Sequence, residues 1–108
     1  MVREFNSIED IEKYYNEETN TYIFKEYNEY IDLVIFNFDL TVEADIKVRD
    51  INANNISAWD INAWDINARD ISYYAICIAY KNIKCNSIRG ARTNSKHFVL
   101  DGKIEVEE

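Results

Sequence analysis

Hydrophobic residues recur every five positions through the middle of this chain. Isoleucine holds one phase from Asp50 to Ser72, and alanine follows two positions after most of these isoleucines. The residues in this repeat are Ile51, Ile56, Ile61, Ile66 and Ile71, with Ala53, Ala58, Ala63 and Ala68. A period of five drifts around an α-helix and leaves no apolar stripe along it. A strict short period instead indicates stacked units, each burying its face on the next.

The unit Ile-x-Ala follows the period of a β-strand, and two polar residues then interrupt it. This pattern predicts short strands joined by corners, which is a mainly β fold of the β-solenoid (β-helix) type. Ile and Ala point inward, and the other positions of each unit point outward. The chain has no proline and only two glycines, so Asn and Asp must turn the corners. The residues before each isoleucine are Asp50, Asn55, Asp60, Asp65 and Asp70.

The steps Asp60-Ile61 and Asp65-Ile66 resemble the Ala-[Asp/Asn]-Leu-x-x motif of the pentapeptide-repeat proteins. That family folds as a right-handed quadrilateral β-helix. Here alanine lies two residues after the large apolar residue and not two before it, so the resemblance implies a class of fold and leaves the coil shape open.

A narrower resemblance covers roughly residues 44 to 104. The chain looks like small solenoid proteins of bacteria and their phages that share Ile-Asn-Ala-x-Asp runs. Those proteins also carry a segment similar to residues 72–77 and a tail similar to residues 96–102. This resemblance implies a β-solenoid and a phage context, without an activity.

The 108 residues are expected to form a single domain. Residues 7–18 are predicted to form a short capping α-helix. Ser7 would cap it and Asp10 would support the cap. Its apolar face would hold Ile8, Ile11 and Tyr14 or Tyr15. Such a helix would cover the open end of the solenoid, whose terminal strands would otherwise leave their edges unpaired.

Residues 20–48 are predicted to be a strand-rich lead-in, and residues 46–104 the solenoid. From Phe36 onward the residues alternate between apolar and polar. The residues expected to face inward are Phe36, Phe38, Leu40, Val42, Ala44, Ile46 and Val48. Ile46-x-Val48 is therefore expected to be the first regular unit.

The five-residue phase slips between Tyr73 and Ile78. We expect a two-residue insertion, after which inward units begin at Ile78. These later units are Ile78-x-Tyr80, Ile83-x-Cys85, Ile88-x-Gly90, Thr93-x-Ser95 and Phe98-x-Leu100. Cys85 then takes an alanine-like inward position, and Cys77 is expected on the opposite face.

The charge is strongly negative and uneven. The chain has 12 basic and 20 acidic residues, a net charge of −8. Residues 1–60 carry 14 acidic and 5 basic side chains, a net charge of −9, whereas residues 61–108 carry a net charge of +1. We therefore expect an acidic and a basic end along the solenoid axis. With no apolar run of membrane length and no signal pattern, the cytosol of a bacterial host is the expected compartment. Both cysteines are expected to be reduced there.

Three sets of residues are candidates for binding. Asp60, Asp65 and Asp70 would present an acidic surface that imitates DNA phosphates, or would simply turn the corners. Trp59 and Trp64 point outward in the repeat, and would bind a partner or be covered by a neighbouring N-terminal segment. The basic residues would contact nucleic acid or form a solvated edge; these are Lys81, Lys84, Arg89, Arg92 and Lys96.

No catalytic motif is present, since His97 has no nucleophile or carboxylate at a recognisable spacing. We expect no enzyme activity, metal or cofactor. The leading hypothesis is a phage or mobile-element anti-defence inhibitor, similar in role to an anti-CRISPR protein, whose acidic surface blocks a nucleic-acid-handling host protein. The alternatives are a self-assembling structural protein and a nucleic-acid or nucleotide binder. A homodimer is expected, joined through a solenoid end or through the face that bears Trp59 and Trp64.

Overall fold

The chain folds as a β-solenoid of about four turns, which confirms the predicted fold class. The structure is a computed structural model, and it describes residues 2–107. Short parallel strands stack coil upon coil, and their inward side chains form one continuous core.

The elements before the first coil form the N-terminal end of the solenoid. They are β1 (Val2–Glu4), a 3₁₀ helix (Ile8–Tyr14), β2 (Tyr15–Asn16), β3 (Thr21–Ile23), β4 (Lys25–Glu26) and β5 (Glu29–Tyr30). β4 and β5 pair as an antiparallel hairpin. Its turn residues Tyr27 and Asn28 both adopt positive φ, as a tight hairpin turn of this kind requires.

Four coils follow, each made of three strands. The first coil contains β6 (Asp32–Ile35), β7 (Leu40–Thr41) and β8 (Asp45–Lys47). The second contains β9 (Asp50–Ala53), β10 (Asn55–Ala58) and β11 (Ile61–Ala63). The third contains β12 (Asp65–Asn67), β13 (Asp70–Tyr73) and β14 (Ile76–Ala79). The fourth contains β15 (Ile83–Cys85), β16 (Ser87–Gly90) and β17 (Lys96–Val99), and β18 (Ile104–Val106) begins a fifth.

The strands form three sheets, which we call faces 1, 2 and 3. Face 1 is β1-β6-β9-β12-β15-β18, face 2 is β7-β10-β13-β16, and face 3 is β2-β3-β8-β11-β14-β17. Ile51 pairs with Ile66, and Ile56 pairs with Ile71, so equivalent residues are 15 positions apart. The solenoid therefore has three five-residue units per turn, and its three sides contrast with the quadrilateral coil of the pentapeptide-repeat proteins.

The core confirms the inward positions of the repeat. All five isoleucines of the repeat are 1% exposed or less, and the four alanines are 7% exposed or less. Each fully buried isoleucine contributes roughly 1.5–3 kcal/mol relative to exposure to water. The unit Ile46-x-Val48 also points inward, as predicted.

The prediction of one two-residue insertion was wrong. Ile61 pairs with Cys77 and Ala63 with Ala79, so Cys77-x-Ala79 is the inward unit of the third coil. The step from Ile71 to Cys77 is six residues, and the step from Cys77 to Ile83 is again six. Two single-residue insertions therefore replace the expected one. Cys77 is fully buried, and Ile78 points outward.

Three further predicted inward units also fail. Thr93-x-Ser95 lies in the segment between β16 and β17, where Thr93 is exposed. Phe98 and Leu100 are exposed, while Val99 is partly buried against the core, because Val99 pairs with Ala79. Phe36 is 48% exposed because Leu33-x-Ile35 is the inward unit, which leaves Phe36 in the following corner. Cys85 is buried in the alanine-like position, as predicted.

The N-terminal helix is shorter than predicted and is a 3₁₀ helix, not an α-helix. Ile8, Ile11 and Tyr14 are three positions apart, which aligns them along one side of a helix with three residues per turn. Ile11 and Tyr14 are buried, and Ile8 packs partly against the core. Ser7 makes no side-chain capping bond; instead the Asp10 carboxylate accepts a hydrogen bond from the Asn6 amide at 3.3 Å.

Candidate protein-binding face

The outer surface of face 3 changes from polar to apolar along the solenoid axis. Its central outward column is Lys47, Asn62, Ile78 and Phe98, in successive coils. Apolar side chains also lie beside this column, at Ile76 in the third coil and at Leu100 in the fourth, while Lys96 is the outward neighbour of Ile76 in the fourth coil. Ile76 is 44% exposed and Leu100 is 62% exposed.

This surface follows from the two single-residue insertions. They turn the sequence 76–79 so that Cys77 and Ala79 fill the core and both isoleucines face outward. Contiguous apolar patches on a protein surface often mark interaction sites.

Aromatic side chains flank face 3 on both edges. Trp59 and Tyr74 lie in successive coils at the corner between faces 2 and 3, where the Tyr74 amide donates to the Trp59 carbonyl at 2.8 Å. Trp64 and Tyr80 lie at the corner between faces 3 and 1, with ring centroids 5.2 Å apart. The Arg49 guanidinium lies 5.9 Å from the Trp64 ring on its other side.

The structure places the two predicted tryptophans on either side of one strand, β11. Each is 46% exposed. Trp64 is supported by Arg49 and Tyr80, and it lines a groove with Tyr30. Sequence reasoning found these tryptophans but missed the aliphatic centre between the two edges. The sequence did contain a signal for this centre. Cys77-x-Ala79 has the spacing of the inward Ile-x-Ala unit with two small residues, and placing it inward leaves Ile76 and Ile78 on the outer surface.

The three candidate aspartates do not form one surface. Successive units turn through successive corners of a three-sided coil, so Asp60, Asp65 and Asp70 lie at three different corners. Their carboxylates bridge to the next coil. Asp60 Oδ1 accepts from the Ile76 amide at 3.1 Å, and Asp65 Oδ1 accepts from the Asn82 amide at 3.1 Å. Asp70 Oδ1 accepts from the Ser87 hydroxyl at 2.7 Å.

Stacked corner aspartates repel one another in two columns. Asp45 lies beneath Asp60, and Asp50 lies between Asp32 and Asp65. Burial raises the pKa of Asp45, and the charge of Asp60 raises it further. Burial likewise raises the pKa of Asp50, with added repulsion from Asp32 and Asp65.

The freely exposed acidic side chains concentrate at the N-terminal end. The exposed acidic residues of this end and of the first coil are Glu4, Glu9, Asp10, Glu12, Glu17, Glu18, Glu29, Asp39 and Glu43. Glu26 is committed to the fold instead. It accepts two hydrogen bonds from Arg3 and one from the Tyr14 hydroxyl, and the Arg3 bond is the main cause that lowers the pKa of Glu26 to about 2.

The five candidate basic residues are spread around the fourth coil. Lys84 lies on face 1, Arg89 on face 2 and Lys96 on face 3. Lys81 and Arg92 lie in connecting segments. Lys84 Nζ also lies 3.6 Å from Glu107 Oε1. The structure does not bring these side chains together on a single face.

His97 and the cysteines take part in packing at the C-terminal coils. The Tyr73 hydroxyl lies 2.7 Å from His97 Nδ1. Both cysteines are free and buried, and burial raises the pKa of the Cys77 thiol to about 12. Buried thiols with raised pKa values are chemically inert.

No family model, no curated protein and no solved structure matches the chain. Within residues 2–107, no helix has the length and apolar character needed to cross a membrane.

Proposed function

We propose that this chain is a non-enzymatic binding protein that holds another protein against face 3. The observation that carries the proposal is the outward apolar group of Ile76, Ile78, Phe98 and Leu100, bordered by two tryptophans. Trp and Tyr are enriched among the residues that dominate binding energy. Because hydrogen bonds between strands hold the backbone of this face, little backbone entropy is lost on binding.

The exposed carboxylates of the N-terminal end indicate the kind of partner. They lie on the same rigid body as face 3, and they would attract a basic surface and speed its approach. Basic clefts in proteins commonly hold nucleic acid. The chain would then act as an inhibitor that excludes nucleic acid from a host protein, and the phage-like resemblance favours a role against host defence.

The test is affinity capture from host extract with matched surface variants. Ile76→Lys with Ile78→Lys places two charges at the centre of face 3 without touching the core. Thr41→Lys with Ser72→Lys places the same charges at exposed outward positions of face 2. The proposal expects one host protein to be captured by the wild type and the face 2 variant, and to be lost with the face 3 variant.

A second arm examines the acidic end. The variant Glu9→Lys with Glu12→Lys should weaken capture, and the weakening should shrink as salt screens the charges. A short DNA duplex should also compete with the chain for the captured protein. Two outcomes would contradict the proposal. One is capture that survives the face 3 change. The other is capture that is affected neither by competing DNA nor by Glu9→Lys with Glu12→Lys.

A further inference from the structure

The two ends of the solenoid are finished differently. At the N-terminal end, the first segments of the chain cover the core, and their residues Phe5 and Ile11 are buried in it. At the opposite end, the inward residues Ile88, Val99 and Ile104 are only partly buried. Among residues 2–107, no segment pairs with the outer edges of β16, β17 and β18. These edges present free backbone donors and acceptors, which readily pair with another strand.

The last turn of the solenoid has a shape that can pair with the last turn of a second copy of the chain. Along the chain β16, β17 and β18 lie on faces 2, 3 and 1, and each rises about one third of a coil above the one before. A two-fold axis through the middle strand, β17, lays β17 against its own copy. The same axis lays β16 against the β18 of the second copy. The distance between these two strands equals the distance between β17 and its copy. The facing strands run antiparallel, which suits hydrogen bonding between them.

The inward and outward pattern fixes the register of this pairing. Residues directly opposite each other in an antiparallel pair point to the same side. Aligning inward residues with inward residues places His97 opposite Val99 of the second copy and Ile88 opposite Val106. Among the outward residues, Phe98 then lies opposite Phe98 of the second copy, on the two-fold axis. Arg89 lies opposite Glu105 of the second copy.

We propose that this chain forms a symmetric end-to-end dimer, in which β17 pairs with β17 and β16 pairs with β18. Charge complementarity supports this axis over the others. Arg89 makes no salt bridge within residues 2–107, and the dimer brings it, in two equivalent places, to Glu105 of the other copy, which also pairs with its own Lys103 at 2.8 Å. A two-fold axis through β18 would oppose Glu105 to itself and leave a gap one strand wide between the other facing strands. An axis through β16 would make β17 overlap the β18 of the second copy. The dimer does not depend on the partner of face 3.

The contact is small. The molecule measures 32 × 25 × 25 Å, so an end covers less than the roughly 800 Å² per partner of a standard interface. We therefore expect a dissociation constant in the micromolar range. The apolar part of face 3 would then continue across the contact from one copy to the other.

The first test measures mass by sedimentation equilibrium over a series of micromolar concentrations. The mass should rise from 12.8 kDa toward twice that value. Arg89→Glu should weaken association on the order of tenfold. Combining it with Glu105→Arg should restore association, because the exchanged charges again oppose each other. A monomer throughout, a dimer that Arg89→Glu does not weaken, or a weakened dimer that the double change does not restore would overturn the proposal.

The second test crosslinks the axis. A cysteine placed at Phe98 should form a disulfide-linked dimer on mild oxidation, since opposite residues bring their Cβ atoms within about 4.5–5.5 Å. Ser72→Cys, exposed on face 2, is the matched control. The native cysteines are buried in both variants. A linked dimer with Phe98→Cys alone supports the axis, and equal crosslinking of both variants, or none with Phe98→Cys, rules it out.

Discussion

The Tyr73 hydroxyl and His97 Nδ1 join the third coil to the fourth across a distance of 2.7 Å. Tyr73 stands in an alanine column, between Ala58 and Gly90. Its ring therefore extends along the axis toward the C-terminal end, where it meets the His97 ring edge to face with centroids 5.8 Å apart. A large residue in this narrow column is accommodated because the next residue in the column is Gly90, which has no side chain.

Removing this hydroxyl should destabilise the last coil. Tyr73→Phe keeps the ring and loses the bond to His97, so we expect the free energy of unfolding to fall by about 0.5–1.5 kcal/mol. Urea denaturation followed by circular dichroism measures the change. Tyr74→Phe alters the exposed neighbouring tyrosine and should change stability by much less. Equal effects of the two substitutions would contradict the assigned bond.

Gly90 is required by the Ser95 side chain and by the same tyrosine. A Cβ atom at this position would lie 2.9 Å from Tyr73 Cε2 and closer still to the Ser95 side chain. We expect Gly90→Ala to cost about 1–3 kcal/mol through overpacking. Adding Tyr73→Phe should not relieve this cost, because the ring atoms remain, whereas Tyr73→Ala should relieve part of it. A thermal melt of the three variants checks this order.

The narrow interior at the alanine positions should reject larger side chains. Ala63 is 3% exposed and pairs with Ala79 in the next coil. Ala63→Leu should therefore cost about 1–3 kcal/mol or more. Asn62→Leu adds a leucine at the adjacent outward position, and should leave the melting temperature nearly unchanged. A parent-like melt for Ala63→Leu would show that this layer can expand.

Asp50 should make stability depend on pH. Because its pKa is raised in the folded protein, the folded state binds this proton more tightly than the unfolded chain does. Its contribution favours folding at low pH and is lost as the pH rises through the raised value. Asp50→Asn should thus stabilise the protein at pH 7 by about 0.2–1 kcal/mol. Asn82 already occupies the equivalent corner in a later coil, where its Oδ1 accepts from the Lys103 amide at 3.1 Å.

The advantage of Asp50→Asn should disappear below about pH 4, where the aspartate is protonated in both states. Asp39→Asn removes the same charge at an exposed position and serves as the control. Melting temperatures of the two variants across this pH range give the comparison. A stabilisation of the same size at every pH would mean that neither the burial of the Asp50 carboxylate nor its repulsion by Asp32 and Asp65 is the cause.

The cysteine thiols should be unreactive while the protein is folded. Cys77 is 0% exposed and Cys85 is 2% exposed. Burial raises both pKa values, that of Cys77 to about 12. A thiol reagent at pH 8 should therefore modify neither residue in native protein and both in denaturant. Rapid native reaction of one thiol per chain would show local opening of the third or fourth coil.

The five-residue period of the sequence determined the β-solenoid, its inward isoleucines and alanines, and its Asn and Asp corners. These properties follow from local alternation and turn chemistry, which each unit contains by itself. The tertiary structure decided how many units complete a turn. Three units complete one turn, because Ile51 stacks on Ile66 in the next coil. That contact joins residues 15 positions apart, so no single unit contains it.

The tertiary structure also decided the candidate binding face. A shift of one residue reverses the direction of every side chain in a strand, so the sequence 76–79 offers two apolar pairs of nearly equal quality. Ile76 with Ile78 and Cys77 with Ala79 both satisfy alternation. Only the narrow layer set by Ile61 and Ala63 in the coil beneath selects the smaller pair for the interior, and that selection leaves the isoleucines on the outer surface.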